Sequence, residues 1–75
     1  MNNIEILTNA LEFIEENLQN EIKTQDVADA CYCSKSALEK IFRHVSMLSV
    51  REYMVKRRMT IAARMLVADK DANIL

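Results

Sequence analysis

The residues of this 75-residue chain whose chemistry stands out are cations and hydroxyls gathered in one stretch. Between residues 35 and 64, Lys35, Lys40, Arg43, Arg51, Lys56, Arg57, Arg58 and Arg64 oppose only Glu39 and Glu52, a local charge of +6. Residues 1–34 carry Glu5, Glu12, Glu15, Glu16, Glu21, Asp26 and Asp29 against Lys23 alone, a local charge of −6. The chain as a whole sits at −1, so near-neutrality conceals two parts of opposite sign. This polarity suits an oriented anion-binding surface, and equally a dipolar surface laced by salt bridges. Other chemistry is thinly represented. Cys31 and Cys33 stand one residue apart and His44 is the sole histidine, so a four-ligand zinc site is not expected. The two thiols read as small reduced residues near a helix end. No nucleophile–base pair and no carboxylate pair in an apolar setting are recognisable, so we expect neither an enzyme, a cofactor nor a metal.

The elements that position these groups must be helices. Gly and Pro are absent, which excludes most all-β and loop-rich designs, because turns depend on those residues. Hydrophobic residues make up 51% and charged residues 28%, enough for a small core and too apolar for disorder. Aromatics are only 5%, so aliphatic side chains and methionine must fill that core, and the five methionines read as filler. No apolar run approaches the ~18 residues of a membrane span, and the first residues do not form a signal peptide. The expectation is a cytoplasmic all-α domain with no membrane partner.

Ile4, Leu7, Leu11, Ile14 and Leu18 fall at steps of three and four, predicting a first helix over residues 3–18 with Asn2 and Glu5 at capping-box spacing. The glutamates at 12, 15 and 16 lie mostly off that stripe. Thr24 is the expected N-cap of a short second helix with Val27, Ala28 and Cys31 inward. After a turn of two or three residues, Ser34 caps a third helix over residues 35–45. With Leu38 at 0° and 100° per residue, Ile41, Phe42 and Val45 fall within about 60° of it, the predicted inward face. Ser36, Glu39, Lys40 and Arg43 fall at about 160°, 100°, 200° and 140°, an outward polar face. His44, at about 240°, reads as a surface residue. Ser49 and Glu52 form a capping box that opens a long helix over residues 49–68, about 30 Å long, with Val50, Tyr53, Met54, Ile61, Ala62, Met65 and Leu66 on its apolar side. Tyr53 reads as a core aromatic, and Arg57 and Arg58 as alternative partners for Glu52 or Glu16, Arg58 foremost. Asp69-Lys70-Asp71 is expected to interrupt this helix, and residues 69–75 read as the start of a further element in a longer protein.

A short helix, a tight turn and a second helix with a basic outer face fit a helix-turn-helix. The fold expectation is an all-α short helix bundle, homeodomain-like, with one helix-turn-helix followed by a long linker helix. The stretch Asp26-Val27-Ala28-Asp29-Ala30-Cys31-Tyr32-Cys33-Ser34-Lys35-Ser36-Ala37-Leu38-Glu39-Lys40-Ile41-Phe42-Arg43 resembles the first helix-turn-helix of AraC/XylS-type transcription regulators. So does Ser49 through Leu66, where Tyr53, Arg57-Arg58-Met59-Thr60, Ala62-Ala63 and Met65-Leu66 are similar to the family's linker helix. The resemblance covers about residues 4–75. It implies that residues 1–68 form the first of two DNA-binding subdomains and that 69–75 begin the second, with the two entering successive major-groove segments of double-stranded DNA. The linker estimate suits the ~34 Å separating groove segments one turn apart.

By that resemblance, Ser36, Ala37, Glu39 and Lys40 occupy base-contact positions, with Arg43 beside them. Glu39 is suited to cytosine N4 and Lys40 to guanine O6 and N7. Ser34, Lys35, Ser49 and Arg57 are the phosphate candidates. Ser36 and Ala37 are small where the family often carries larger side chains. Tyr32 stands where the family commonly has Gly, predicting either backbone strain or a re-formed turn. A Gly is also missing near Met47, with a C-cap cost. With the motif starting at residue 1, and if that methionine is native, any effector domain is expected to lie C-terminally or to be absent. The competing expectation is a helical protein-interaction or dimerisation module that does not bind DNA, and self-association is compatible with both.

Overall fold

The computed structural model describes the backbone of residues 2–74 and the side chains of residues 2–66. Within them lie four helices and no strand: α1 Asn3–Glu16, α2 Thr24–Ala30, α3 Lys35–Ser46 and α4 Val50–Ile74. The all-α expectation holds. Each helix begins where a side chain can satisfy a free N–H group. The Asn2 side chain accepts from Glu5 N–H at 2.8 Å, and Ser34 Oγ accepts from Ala37 N–H at 3.1 Å. At α4, Ser49 Oγ accepts from Glu52 N–H at 3.1 Å while Glu52 Oε1 accepts from Ser49 N–H at 3.2 Å, the reciprocal box the sequence predicts. The start of α2 differs. Lys23, not Thr24, is the N-cap, and the Asp26 carboxylate accepts from Lys23 N–H at 2.8 Å. An acid at the third helical position closes that end without the threonine hydroxyl.

The core joins all four helices through Ala10 and Ile14, Val27 and Ala28, Cys31 just after α2, Leu38 and Phe42, and Val50 and Met54. Full burial of each larger aliphatic or aromatic side chain contributes about 1.5–3 kcal/mol. Phe42 also meets the edge of Tyr53, with ring centroids 5.5 Å apart and planes at 69°, a T-shaped arrangement suited to the ring quadrupoles. At seven residues, α2 is too short to persist alone and is held by Val27 and Ala28 in this core.

Several expected core positions lie outside it. Helix α1 stops at Glu16 rather than residue 18, where Asn17 Nδ2 donates to Phe13 O at 2.8 Å and its N–H to Ile14 O at 3.1 Å. Ile4 is 75% exposed and Val45 60% exposed, although periodicity places both inward. The two share a cause: the first turn of α1 and the last turn of α3 flank an open groove and do not close on one another. The methionine expectation also fails in large part. Met54 is buried, but Met47, Met59 and Met65 are exposed, and Met1 lies outside the described residues.

Helix α4 runs without a break through Asp69-Lys70-Asp71 to Ile74, where the sequence suggests an interruption after residue 68. No Gly or Pro stands there to stop it, and the lower helix propensity of Asp is a fraction of a kcal/mol. Among the described side chains of α4, residues 50–66, burial is uneven. Val50 and Met54 are buried and Tyr53 and Ile61 partly so, whereas Ala62, Met65 and Leu66 are exposed, Ala62 and Met65 facing the exit of α1 across an open pocket. The long helix accounts for extents of 50 × 22 × 17 Å.

Candidate nucleic-acid interface

The connection between α2 and α3 sets the geometry of the candidate site. Helix α2 ends in a Schellman arrangement, with Cys33 N–H donating to Ala28 O at 3.1 Å and Tyr32 N–H to Asp29 O at 3.2 Å. This motif requires a left-handed residue at Tyr32, whose φ is 55°, so the turn is kept and the tyrosine carries the backbone strain. Its ring is 88% exposed and gives nothing back through burial. Met47 is the second such residue, with φ 63° at the end of α3 and its N–H donating to Arg43 O at 3.0 Å. Ser46 completes that end. Its Oγ donates to Phe42 O at 2.7 Å and accepts from Leu48 N–H at 3.2 Å.

With Leu38 and Phe42 buried, the opposite side of α3 turns to solvent. Lys35, Ser36, Ala37, Glu39, Lys40 and Arg43 line one shallow concave surface, which brings together the five base-contact candidates and Lys35. Lys35, Ser36, Lys40 and Arg43 are exposed, while Ala37 and Glu39 are half-buried. Ser34 is exposed at the head of this helix, with its Oγ lone pair engaged by Ala37 N–H and its hydroxyl proton available.

The remaining phosphate candidates lie in different surroundings. At the start of α4 the Ser49 N–H is already bonded to the Glu52 carboxylate, so this end carries its own anion. Hydrogen bonds from the Ser49 backbone and side chain, followed by the fields of Arg43 and Lys56, hold the Glu52 carboxyl below the usual carboxylate range. Arg57 does not join the α3 surface. Its Nη2 is 2.6 Å from Glu15 Oε1, its side chain is 28% exposed, and its Nε is buried with no partner.

Arg58 departs from the expected pairing with Glu52 or Glu16. Its Nε donates to Leu18 O and its Nη2 to Asn20 O, both at 3.0 Å. The guanidinium thus satisfies carbonyls where the chain leaves α1 and ties α4 to that loop. Nothing in local spacing signals this, since donor and acceptors are about 40 residues apart in the chain. Cys31 and Cys33 are free thiols. Burial pushes both up from the ordinary thiol value, with Cys33 adding to the effect at Cys31, which disfavours the nucleophilic thiolate. His44 is exposed, and Tyr53 is half-buried against Phe42.

Among the described residues no group of three or more His, Cys, Asp or Glu side chains is placed to hold a metal ion. Among them, too, no helix is long and apolar enough to cross a membrane. Comparison with known proteins adds no relative: no family model, no curated protein and no solved structure matches the chain.

Proposed function

We propose that this chain binds double-stranded DNA through a helix-turn-helix made of α2 and α3, as the first half of a two-part domain of the AraC/XylS type, in a cytoplasmic transcription regulator. The observation that carries the reading is the α3 surface. Six side chains suited to base edges and phosphates share one face, on a helix whose other face is anchored by Leu38 and Phe42. A major groove admits a helix of this kind. Lys40 then donates to guanine O6 or N7, Glu39 accepts from cytosine N4, and Ser36, Ala37 and Arg43 complete the reading edge. Ser34 and Lys35 hold phosphate at the N-terminus of α3, where free N–H groups favour an anion. Ser49 reaches phosphate by turning its hydroxyl proton away from the Glu52 carboxylate, and Arg57 is left to its pairing with Glu15.

A protein-interaction or dimerisation role is the second reading, favoured by exposed Ile4, Val45 and Met47 together and by exposed Met59, Met65 and Leu66 along α4. The two separate by salt dependence. DNA binding through phosphates weakens steeply as salt rises, with a slope set by the number of phosphates neutralised. Fluorescence anisotropy of a labelled duplex across a salt series tests this. Lys35→Ala should flatten the slope by about one unit, and Lys40→Ala should cost about 1–3 kcal/mol at a site containing its preferred base. An affinity independent of salt and of both substitutions refutes the reading.

A further inference from the structure

One groove lies beside the candidate DNA surface and takes no part in its proposed contacts except at a shared edge. It runs between the first turns of α1 and the later turns of α3, with a volume of about 890 Å³. Its apolar wall is Ile4, Leu7, Ile41, Val45 and Met47. Ile4 is 75%, Val45 60% and Met47 81% exposed, so side chains that ordinarily anchor a core stand together in solvent. The left-handed backbone at Met47 ends α3 at this edge, and methionine is the apolar side chain that best adapts to a partner's shape.

The charged lining is one-sided. Lys40, Arg43 and His44 border the groove, and no carboxylate lines it, although α1 as a whole is acidic. That combination selects among occupants. A second copy of the chain placing the same face here would set two such basic edges against each other. An anionic membrane surface is better served by a protruding amphipathic helix than by a trough between two helices. A helix with apolar residues at i, i+4 and i+7 and acidic flanks fills the trough and neutralises its edge.

The geometry points to this groove as the docking site for an acidic amphipathic helix of another protein. The site shares Ala37, Lys40 and Arg43 with the α3 surface, so the docked helix and DNA compete for the same two cations. That competition rests on the DNA-binding reading above, whereas the docking does not.

The test uses the full 75-residue chain, isotope-labelled, and a short end-capped peptide with leucines at i, i+4 and i+7 flanked by glutamates. Amide shifts are expected at Ile4, Leu7, Ile41 and residues 44–47. The double substitution Ile4→Ser, Met47→Ser removes exposed apolar contacts and leaves the core intact; it should weaken peptide binding at least about tenfold by loss of two buried side chains. Saturating peptide should displace a labelled duplex from the wild-type chain, and the double variant should bind that duplex as the wild type does. Peptide docking in a chain that binds no duplex upholds the groove and refutes the DNA-binding reading. Duplex binding unaffected by a docked peptide refutes the competition. No peptide shifts, shifts on other faces, or equal peptide affinity of the double variant overturns the docking site. Binding to vesicles of phosphatidylglycerol that the double substitution abolishes, with no peptide binding, assigns the groove to membranes and overturns it as well.

Discussion

Replacing Tyr32 by glycine should stabilise this protein, and the size of the effect follows from the turn it occupies. Tyr32 holds φ at 55°, in the left-handed region, because the Schellman bonds from Cys33 to Ala28 and from Tyr32 to Asp29 require it. For a side-chain-bearing residue this conformation costs about 1–2 kcal/mol. The ring is 88% exposed, so its removal sacrifices little packing. Glycine brings its own opposing cost of about 0.5–1 kcal/mol, from the greater freedom of the unfolded chain. The net gain is therefore centred on about 0.75 kcal/mol, which in a domain this small raises Tm by about 3–6 °C. Tyr32→Ala serves as the reference, since it deletes the ring and keeps the strain. The measurement is thermal and urea unfolding of wild type, Tyr32→Ala and Tyr32→Gly, with a shift of midpoint at constant denaturant slope marking a change in stability alone. Met47, at φ 63° and 81% exposed, is an independent second case. It lies at the other end of α3, about 18 Å along the helix axis, so the two glycine effects should add within about 0.5 kcal/mol. If Tyr32→Gly is no more stable than Tyr32→Ala, the left-handed turn is not the one the molecule uses in solution.

Other substitutions probe the remaining supports. Phe42→Ala should cost about 3–5 kcal/mol by opening a cavity under α3, most of what a domain of this size possesses, and should abolish the cooperative transition seen by circular dichroism. Arg58→Ala should lower stability by about 1 kcal/mol through loss of two charged donors to backbone carbonyls, with Arg58→Lys recovering part; equal stability of all three proteins would show that the tie between α4 and the α1 exit is inert. Glu52 has a folded-state pKa below its unfolded value, so its contribution is present above the unfolded value and is lost as pH falls through the folded one. Unfolding midpoints followed from neutral pH down through the carboxylate range should therefore fall less steeply in Glu52→Gln than in wild type.

What could be read from the sequence was whatever is local. The caps at Asn2, Ser34 and Ser49 and the short spacing between α2 and α3 are set within a few residues, and the structure has them as expected. The grouping of Ser36, Glu39, Lys40 and Arg43 on one face follows from helical periodicity alone, whereas Ala37 is placed beside them only by the family resemblance. Long-range matters were not legible. Periodicity marks Ile4 and Val45 as apolar-face residues, but whether that face is covered depends on where neighbouring helices end, and here they leave a groove. The partners of Arg57 and Arg58 lie on or just beyond α1, and charge counting cannot choose Glu15 over Glu16 or a carbonyl over a carboxylate. Likewise the apolar side of α4 is continuous in sequence, while among its described side chains Ala62, Met65 and Leu66 are exposed.

The central claim is that α3 enters a DNA groove, and a backbone-amide NMR titration of the chain with a short duplex at low salt tests it most directly. Weak binding is detectable this way, which matters for the proposed half of a two-part domain. The account predicts shifts clustered from Ser34 to Arg43 and around Ser49, diminishing as salt is added. A folded chain whose amides do not move, or move only on other faces, would contradict it.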